Sequence, residues 1–199
     1  MSVLTHDEII QRLNEDWDKK LIITPLLDMT QIGPSSVDVR LGHEFVVSRR
    51  ANLPCIDPLE RQQFEKERSR LEDRISLGRG KPFYLHPGEL VLGCTLEYML
   101  LPRDLAAYVS TRSSWGRVGL VIATAISVAP GFRGVITFEL TNLGYAPLKL
   151  LAGVRIAQMV FHRSDKTSNY EGRYPSPTGP EHGKIHLDLD IPFWSKQSG

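Results

Sequence analysis

The stretch from Pro82 to Arg163 constrains the fold most. Its apolar runs are short, and turn signals separate them: Pro87-Gly88, Pro102, Pro130-Gly131, Gly144 with Pro147, and Gly153. Runs spaced in this way read as the strands of an all-β sandwich or barrel. The clearest strand is Val135 to Leu140, with Ile136, Phe138 and Leu140 pointing one way and Val135, Thr137 and Glu139 the other. Earlier in the chain, Val37, Val39 and Leu41 alternate with Asp38 and Arg40 and predict another strand. Thr5-His6-Asp7-Glu8 has the form of a capping box, and Ile9, Ile10, Leu13 and Trp17 follow at helical spacing. Together they predict a short N-terminal helix over about 6–17. Pro25 and Gly33-Pro34 then break the chain into turns. There is no repeat of fixed period and no heptad.

The 199 residues suit one domain, or one with an insertion, at roughly 150 residues per domain. We therefore expect a single domain over 1–199. A chain of this length buries about 70% of its unfolded surface, so no disulfide or metal staple is needed. With 24 Lys and Arg against 23 Asp and Glu, the net charge is +1. No nucleic-acid partner is expected from so balanced a field, although a local basic pocket remains allowed. The opening MSVLTHDEII lacks the basic start and apolar run of a signal peptide. No apolar stretch reaches the roughly 18 residues of a membrane span, so no membrane association is expected. Cys55 and Cys94 stand outside any CxxC, which suits free thiols and a cytoplasmic location.

Two regions have a different texture. Residues 57–79 crowd charges of both signs around few apolar anchors, which predicts a solvated helix or a mobile insertion. From 164 to 199 the chain is rich in Pro, Gly, Ser and Tyr and reads as a C-terminal arm or lid.

Among chemistry-bearing segments, Arg112-Ser113-Ser114-Trp115-Gly116-Arg117 brackets two hydroxyls with two arginines. Guanidinium forks and serine hydroxyls suit phosphate oxygens. The same residues also suit a turn with solvent-exposed arginines. Glu139 sits inside an otherwise apolar strand. If desolvated, its pKa would rise toward that of a useful general base; on an edge strand it would simply face water. The six histidines form no HExxH, and Pro54-Cys55 is followed by Pro58 where the zinc deaminase pattern needs its second cysteine. No GxSxG and no P-loop motif occurs.

Read together, several segments resemble the deoxycytidine triphosphate (dCTP) deaminase branch of the trimeric deoxyuridine triphosphatase (dUTPase) superfamily. They are Gly33–Gly42 (GPSSVDVRLG), Phe83–Gly93 (FYLHPGELVLG) with Thr95–Tyr98, and Arg112-Ser113-Ser114 with Arg117 and Gly119-Leu120. Pro130-Gly131-Phe132 with Gly134 and the strand to Leu140, and Pro147-Leu148 with Gly153 and Arg155–Gln158, complete the set. The match runs from about Ile22 to Arg163 and more weakly to the end.

The resemblance implies a mainly β fold, a distorted jelly roll or barrel of the dUTPase-like type, assembled as a homotrimer with sites between subunits. It implies zinc-free hydrolytic deamination of dCTP to dUTP and ammonia in pyrimidine deoxynucleotide metabolism, with dUTP and dTTP as further ligands. Mg²⁺ would be bound through the substrate triphosphate, with no protein metal site. Glu139 would take a proton from the water that attacks C4 and return one to the base, while Ser113 and Arg117 orient that water and the ring. Arg112 and Ser114 would hold phosphate oxygens. The backbone around Thr124-Ala125 and Thr137-Phe138 would read the base, and Gln158, Tyr170, Arg173 and Tyr174 would complete the substrate contacts.

Two positions depart from the family pattern. Ala129 stands directly before Pro130-Gly131 where the family usually has an aspartate, which argues against efficient pyrophosphate release. Arg173-Tyr174 is followed by Pro175-Ser176-Pro177, where the family's lid has Lys-Tyr and then a glutamine at the position of Pro177. The alternatives are a dUTP pyrophosphatase or bifunctional deaminase and dUTPase, and a nucleotide-binding member with altered catalysis.

Overall fold

A computed structural model describes residues 2–48, 55–57, 70, 72–123, 127–164 and 172–187. The N-terminal helix α1 (His6–Asn14) starts at the expected capping box. The Thr5 hydroxyl accepts from the Glu8 N–H, and the Glu8 carboxylate accepts from the Thr5 N–H. It ends earlier than the apolar spacing suggests: Trp17 lies beyond it in a separate 3-10 turn and is 71% exposed. Arg12, in its last turn, is buried and paired with Asp104 and the Lys19 carbonyl.

The strands follow in order: β1 (Ile22–Thr24), β2 (Val37–Arg40), β3 (Glu44–Ser48), β4 (Glu72–Ser76), β5 (Pro82–Leu85), β6 (Leu90–Cys94) and β7 (Tyr98–Leu100). Then come β8 (Leu105–Thr111), the single-turn helix α2 (Ser113–Gly116), β9 (Leu120–Ile122), β10 (Ser127–Val128) and β11 (Arg133–Gly134). The last three are β12 (Thr137–Asn142), β13 (Leu148–Leu151) and β14 (Arg155–Arg163). The molecule is mainly β, as its punctuated apolar runs predict. A five-stranded sheet, β4-β3-β6-β12-β9, and a four-stranded sheet, β10-β8-β14-β2, dominate, joined by the small sheets β1-β7-β11 and β13-β5. No helix among the described residues is long and apolar enough to cross a membrane.

Alternation determines which side chains meet in the core. Val37, Val39, Ala107, Val109, Ala157, Met159 and Phe161 from the four-stranded sheet share one buried cluster with Phe45, Val91, Leu120, Phe138 and Leu140 from the five-stranded one. Phe45 and Phe83 stack at 4.5 Å. The key strand begins two residues later than its apolar pattern suggests. Val135 and Ile136 precede β12, and both are buried.

The charged stretch over 57–79 is corrected in part. Residues 58–69 and 71 lie outside the described residues, but Glu72–Ser76 is neither helix nor loose chain. It pairs along its whole length with β3, from Glu44 opposite Ser76 to Ser48 opposite Glu72. Its side chains are half-buried or exposed throughout, so its sequence carries no apolar alternation from which a strand could be read.

One buried carboxylate organises this frame. Glu97 is wholly buried between β7 and the preceding turn. It accepts from the Arg40 backbone N–H at 2.9 Å, from Gln31 Nε2 at 3.0 Å and from Arg40 Nη1 at 3.4 Å. Burial pushes its carboxyl above the usual glutamate range, while these donors pull it back down. Removing one member of such a group leaves the others desolvated and unpaired. Glu97→Ala is therefore expected to cost about 3–5 kcal/mol in urea unfolding, far more than removal of the half-exposed Asp28–Arg155 pair on the same side of the molecule.

Candidate functional site

Glu139 sits on β12 between Phe138 and Leu140, both fully buried. The backbone is fixed from both sides: Glu139 lies opposite Leu92 of β6, and its carbonyl accepts from the Ala123 N–H at 2.9 Å. The pleat turns the half-buried carboxylate outward into a cavity of about 310 Å³. That is the size of a small-ligand pocket. Leu92, Ala129, Phe132 and Thr137 form its body, and Tyr174, Pro177 and Glu181 of the C-terminal segment wall one side. No hydrogen bond or ion pair reaches the Glu139 carboxylate among the described residues. Burial alone raises its pKa above the ordinary glutamate value. The strand is an interior one, between β6 and β9, so Glu139 is half-buried and does not stand on a sheet edge.

The arm is placed by backbone contacts. Gly134, at φ +137°, presents a bare backbone against which Pro177 packs, and any Cβ there would collide with the proline ring. The Val135 N–H donates to the Pro177 carbonyl at 2.8 Å, and the Glu181 N–H to Thr137 Oγ1 at 3.0 Å. The Tyr174 hydroxyl accepts from the Lys184 N–H at 3.2 Å, with the Lys184 ammonium 4.6 Å above the ring. Arg173 is exposed and does not line the cavity; its carbonyl accepts from Lys184 Nζ.

The arginine-serine segment occupies a different surface. Trp115 anchors α2 by donating Nε1–H to the Arg155 carbonyl at 3.0 Å, leaving Ser113, Ser114 and Arg117 exposed. Arg112 is only partly free. Its Nε pairs with Asp38 Oδ1 at 3.2 Å, and Nη1 reaches the Arg155 carbonyl at 3.3 Å. Gln158 lies half-buried on β14, opposite Asp38 and Ser110 and therefore on the Arg112 side. Two glycines hold this segment to the end of β12. Gly119, at φ +99°, crosses Gly144 so closely that neither accommodates a side chain, and the Leu143 N–H donates to the Gly119 carbonyl at 2.8 Å.

Within one chain, then, the structure brings Glu139, Thr137 and Tyr174 to one cavity. Phe138 does not line it, and its side chain is in the core. Arg112, Ser113, Ser114, Arg117, Gln158 and Arg173 are not among the cavity's lining residues. Ser113 and Arg117, expected beside the water on Glu139, are thus absent from that pocket within the chain. Thr124, Ala125 and Tyr170 lie outside the described residues.

Sequence reasoning assigned no role to Glu181, Phe132 or Asp38. Phe132 stands in the quoted Pro130-Gly131-Phe132 turn, and Asp38 alternates outward in a recognised strand, so both carried a signal. Glu181 carried none, because its place depends on the path of the arm.

Because the folded pKa of Glu139 is raised, the native state binds its proton more readily than the unfolded chain does. Its contribution to stability is complete below the ordinary glutamate pKa and is lost as pH rises through the folded value. Glu139→Gln is therefore expected to raise the thermal midpoint at neutral pH, and the gain should vanish at acid pH. Melting curves of both proteins across pH test this.

Comparison with known proteins gives a consistent picture. A family model described as dCTP deaminase-like matches residues 3–164. The chain is 40% identical over 201 residues to a dCTP deaminase of Haloarcula marismortui, covering 95% of this chain and 97% of that protein. It is 39% identical over 199 residues to a "dCTP deaminase, dUMP-forming" of Methanosphaera stadtmanae, covering 96% and 98%. Among solved structures, the 2'-deoxycytidine 5'-triphosphate deaminase of Agrobacterium tumefaciens superposes with a TM-score of 0.61 at 22% identity. That match covers 81% of this chain and about half (48%) of that one, and it establishes a likeness of fold.

Proposed function

The chain belongs to the dCTP deaminase-like family, and from that premise we propose that it deaminates dCTP hydrolytically to dUTP and ammonia, with Glu139 as general base and acid. The observation that carries this reading is the Glu139 carboxylate, unpaired among the described residues, raised in pKa by burial and facing a cavity of about 310 Å³. Glu139 takes a proton from a water whose oxygen bonds to C4 of the cytosine. It returns a proton as the C4–N bond breaks and ammonia leaves. A carboxyl lifted toward working pH performs both transfers better than an ordinary glutamate, which holds its returned proton too weakly. The Thr137-Phe138 backbone, of which Thr137 lines the cavity, reads the base with its fixed donors and acceptors.

Arg112 and Ser114 bind phosphate oxygens, and Ser113 and Arg117 orient water and ring. The exposure of Ser113, Ser114 and Arg117, away from the cavity of their own chain, supports a homotrimer in which one subunit presents this segment to the pocket of the next. Mg²⁺ arrives on the triphosphate; the described residues offer no group of three or more His, Cys, Asp or Glu side chains to hold it. A cytoplasmic location suits the two free thiols, of which Cys94 is buried with its pKa pushed up to about 12.

A second reading is a deaminase that also cleaves the product to dUMP and pyrophosphate; the Methanosphaera stadtmanae relative is a dCTP deaminase named as dUMP-forming. Against it stands Ala129, whose methyl group lines the cavity where the family pattern has a carboxylate to position a second water.

Product analysis after incubation with dCTP and Mg²⁺ separates the readings. We expect dUTP and ammonia with little dUMP; dUMP with stoichiometric pyrophosphate at the earliest time points would establish the second. Glu139→Gln is expected to slow ammonia release by about 10²–10⁴ while leaving nucleotide binding in place, and near-normal turnover would overturn the role of Glu139. The rate in the unaltered protein should fall on the acid side, beginning above the ordinary glutamate pKa, because the base must be ionised.

A further inference from the structure

We propose that His182 is a positioning residue that clamps the C-terminal segment to β4 and so holds Tyr174, Pro177 and Glu181 against the Glu139 cavity. The inference deepens the functional reading above and rests on it for its catalytic consequence. Both nitrogens of the His182 ring are engaged by β4. Nδ1 pairs with the Glu72 carboxylate, and Nε2 lies 2.8 Å from Arg74 Nη2. A guanidinium only donates, so Nε2 accepts from Arg74, and Nδ1 lies against the Glu72 carboxylate without completing a hydrogen bond to it. The Arg74 bond sets Nε2 as the acceptor, and the two contacts together set the orientation of the ring. The contact is shielded, with 13% of the His182 side chain and 18% of that of Glu72 exposed.

The position of the clamp matters as much as its strength. β4 and β12 belong to one sheet, separated by β3 and β6. The arm is pinned at one end by Pro177 on Gly134, beside the start of β12, and at the other by His182 on β4. Between these pins lies Glu181, which lines the cavity and donates its N–H to Thr137 Oγ1. Lys184 follows the ring at once, pairing with Glu181 at 3.2 Å and covering Tyr174. Each contact that builds the arm wall of the cavity is thus within a few residues of the ring. The strand Glu72–Ser76 gains a role from this: it carries the carboxylate and the guanidinium that seat His182.

The test combines amide hydrogen exchange on the full-length protein with steady-state kinetics on dCTP. His182→Ala should speed exchange of the Glu181 amide about tenfold, with the Leu140 amide in the middle of β12 unchanged as the folding control. It should raise KM for dCTP about tenfold and change kcat less. His182→Gln, whose amide can accept from Arg74 and donate to Glu72, should restore most of both. Glu72→Ala added to His182→Ala should cause no further loss. Unchanged Glu181 exchange in His182→Ala overturns the clamp, and this arm needs no substrate, so it decides the clamp whether or not the chain deaminates dCTP. Faster exchange with KM and kcat both within twofold of the unaltered protein overturns the positioning role. A Gln variant as impaired as Ala, or additive loss in the double variant, overturns the assigned ring contacts.

Discussion

The segment Thr95–Glu97 is the junction on which the rest of the structure depends. On one side, the Glu97 carboxylate accepts the Arg40 N–H, and the Leu96 N–H donates to the Arg40 carbonyl at 2.8 Å, so the end of β2 is held by both its backbone groups. On the other side, Thr95 donates its N–H to the Ile136 carbonyl, and its hydroxyl accepts the Ile136 N–H, both at 2.9 Å. The same hydroxyl donates to the Glu97 carbonyl at 2.7 Å. Three consecutive residues therefore fix β2, whose Asp38 receives Arg112, and the entry to β12, whose third residue is Glu139. Every polar atom in this chain of bonds has a partner, which is why so polar a junction tolerates full burial.

That arrangement explains which features could be read from the sequence. Val37, Val39 and Leu41 alternate because one face of β2 meets the core, and Phe138 and Leu140 alternate for the same reason. Both strands were legible, and with them the outward direction of Glu139. β4 was not, because an edge strand carrying Glu72, Asp73 and Arg74 is held by its backbone ladder to β3 and leaves no period-two signal. Trp17 failed in the opposite way. It falls at helical spacing after Leu13, but the helix ends at Asn14 and the chain enters a 3-10 turn, so the tryptophan extends the pattern without sharing its burial.

The site was legible residue by residue but not as one arrangement. The sequence put Glu139 beside the Arg112–Arg117 segment in function, and within the chain the two face different surfaces. Their separation follows from the packing: the Gly119–Gly144 crossing and the Trp115 anchor hold α2 at the outer end of β9 and β12, while the Glu139 side chain opens toward the arm. No periodicity within the chain encodes that separation, because it depends on close glycine crossings and a single tryptophan anchor.

The two departures from the family pattern have different physical weight. At position 177 the lost side-chain donor is replaced by a backbone contact. Pro177 lays its ring on Gly134 and offers its carbonyl to Val135, and a proline has no N–H of its own left to satisfy there. The arm therefore reaches the cavity with a stiffer chain and no unpaired donor. At position 129 nothing comparable happens. The methyl of Ala129 lines the cavity, and the carboxylate that enters from the arm, Glu181, is engaged by Lys184 at 3.2 Å. The cavity thus has one carboxylate that burial raises in pKa and one that is paired with a lysine.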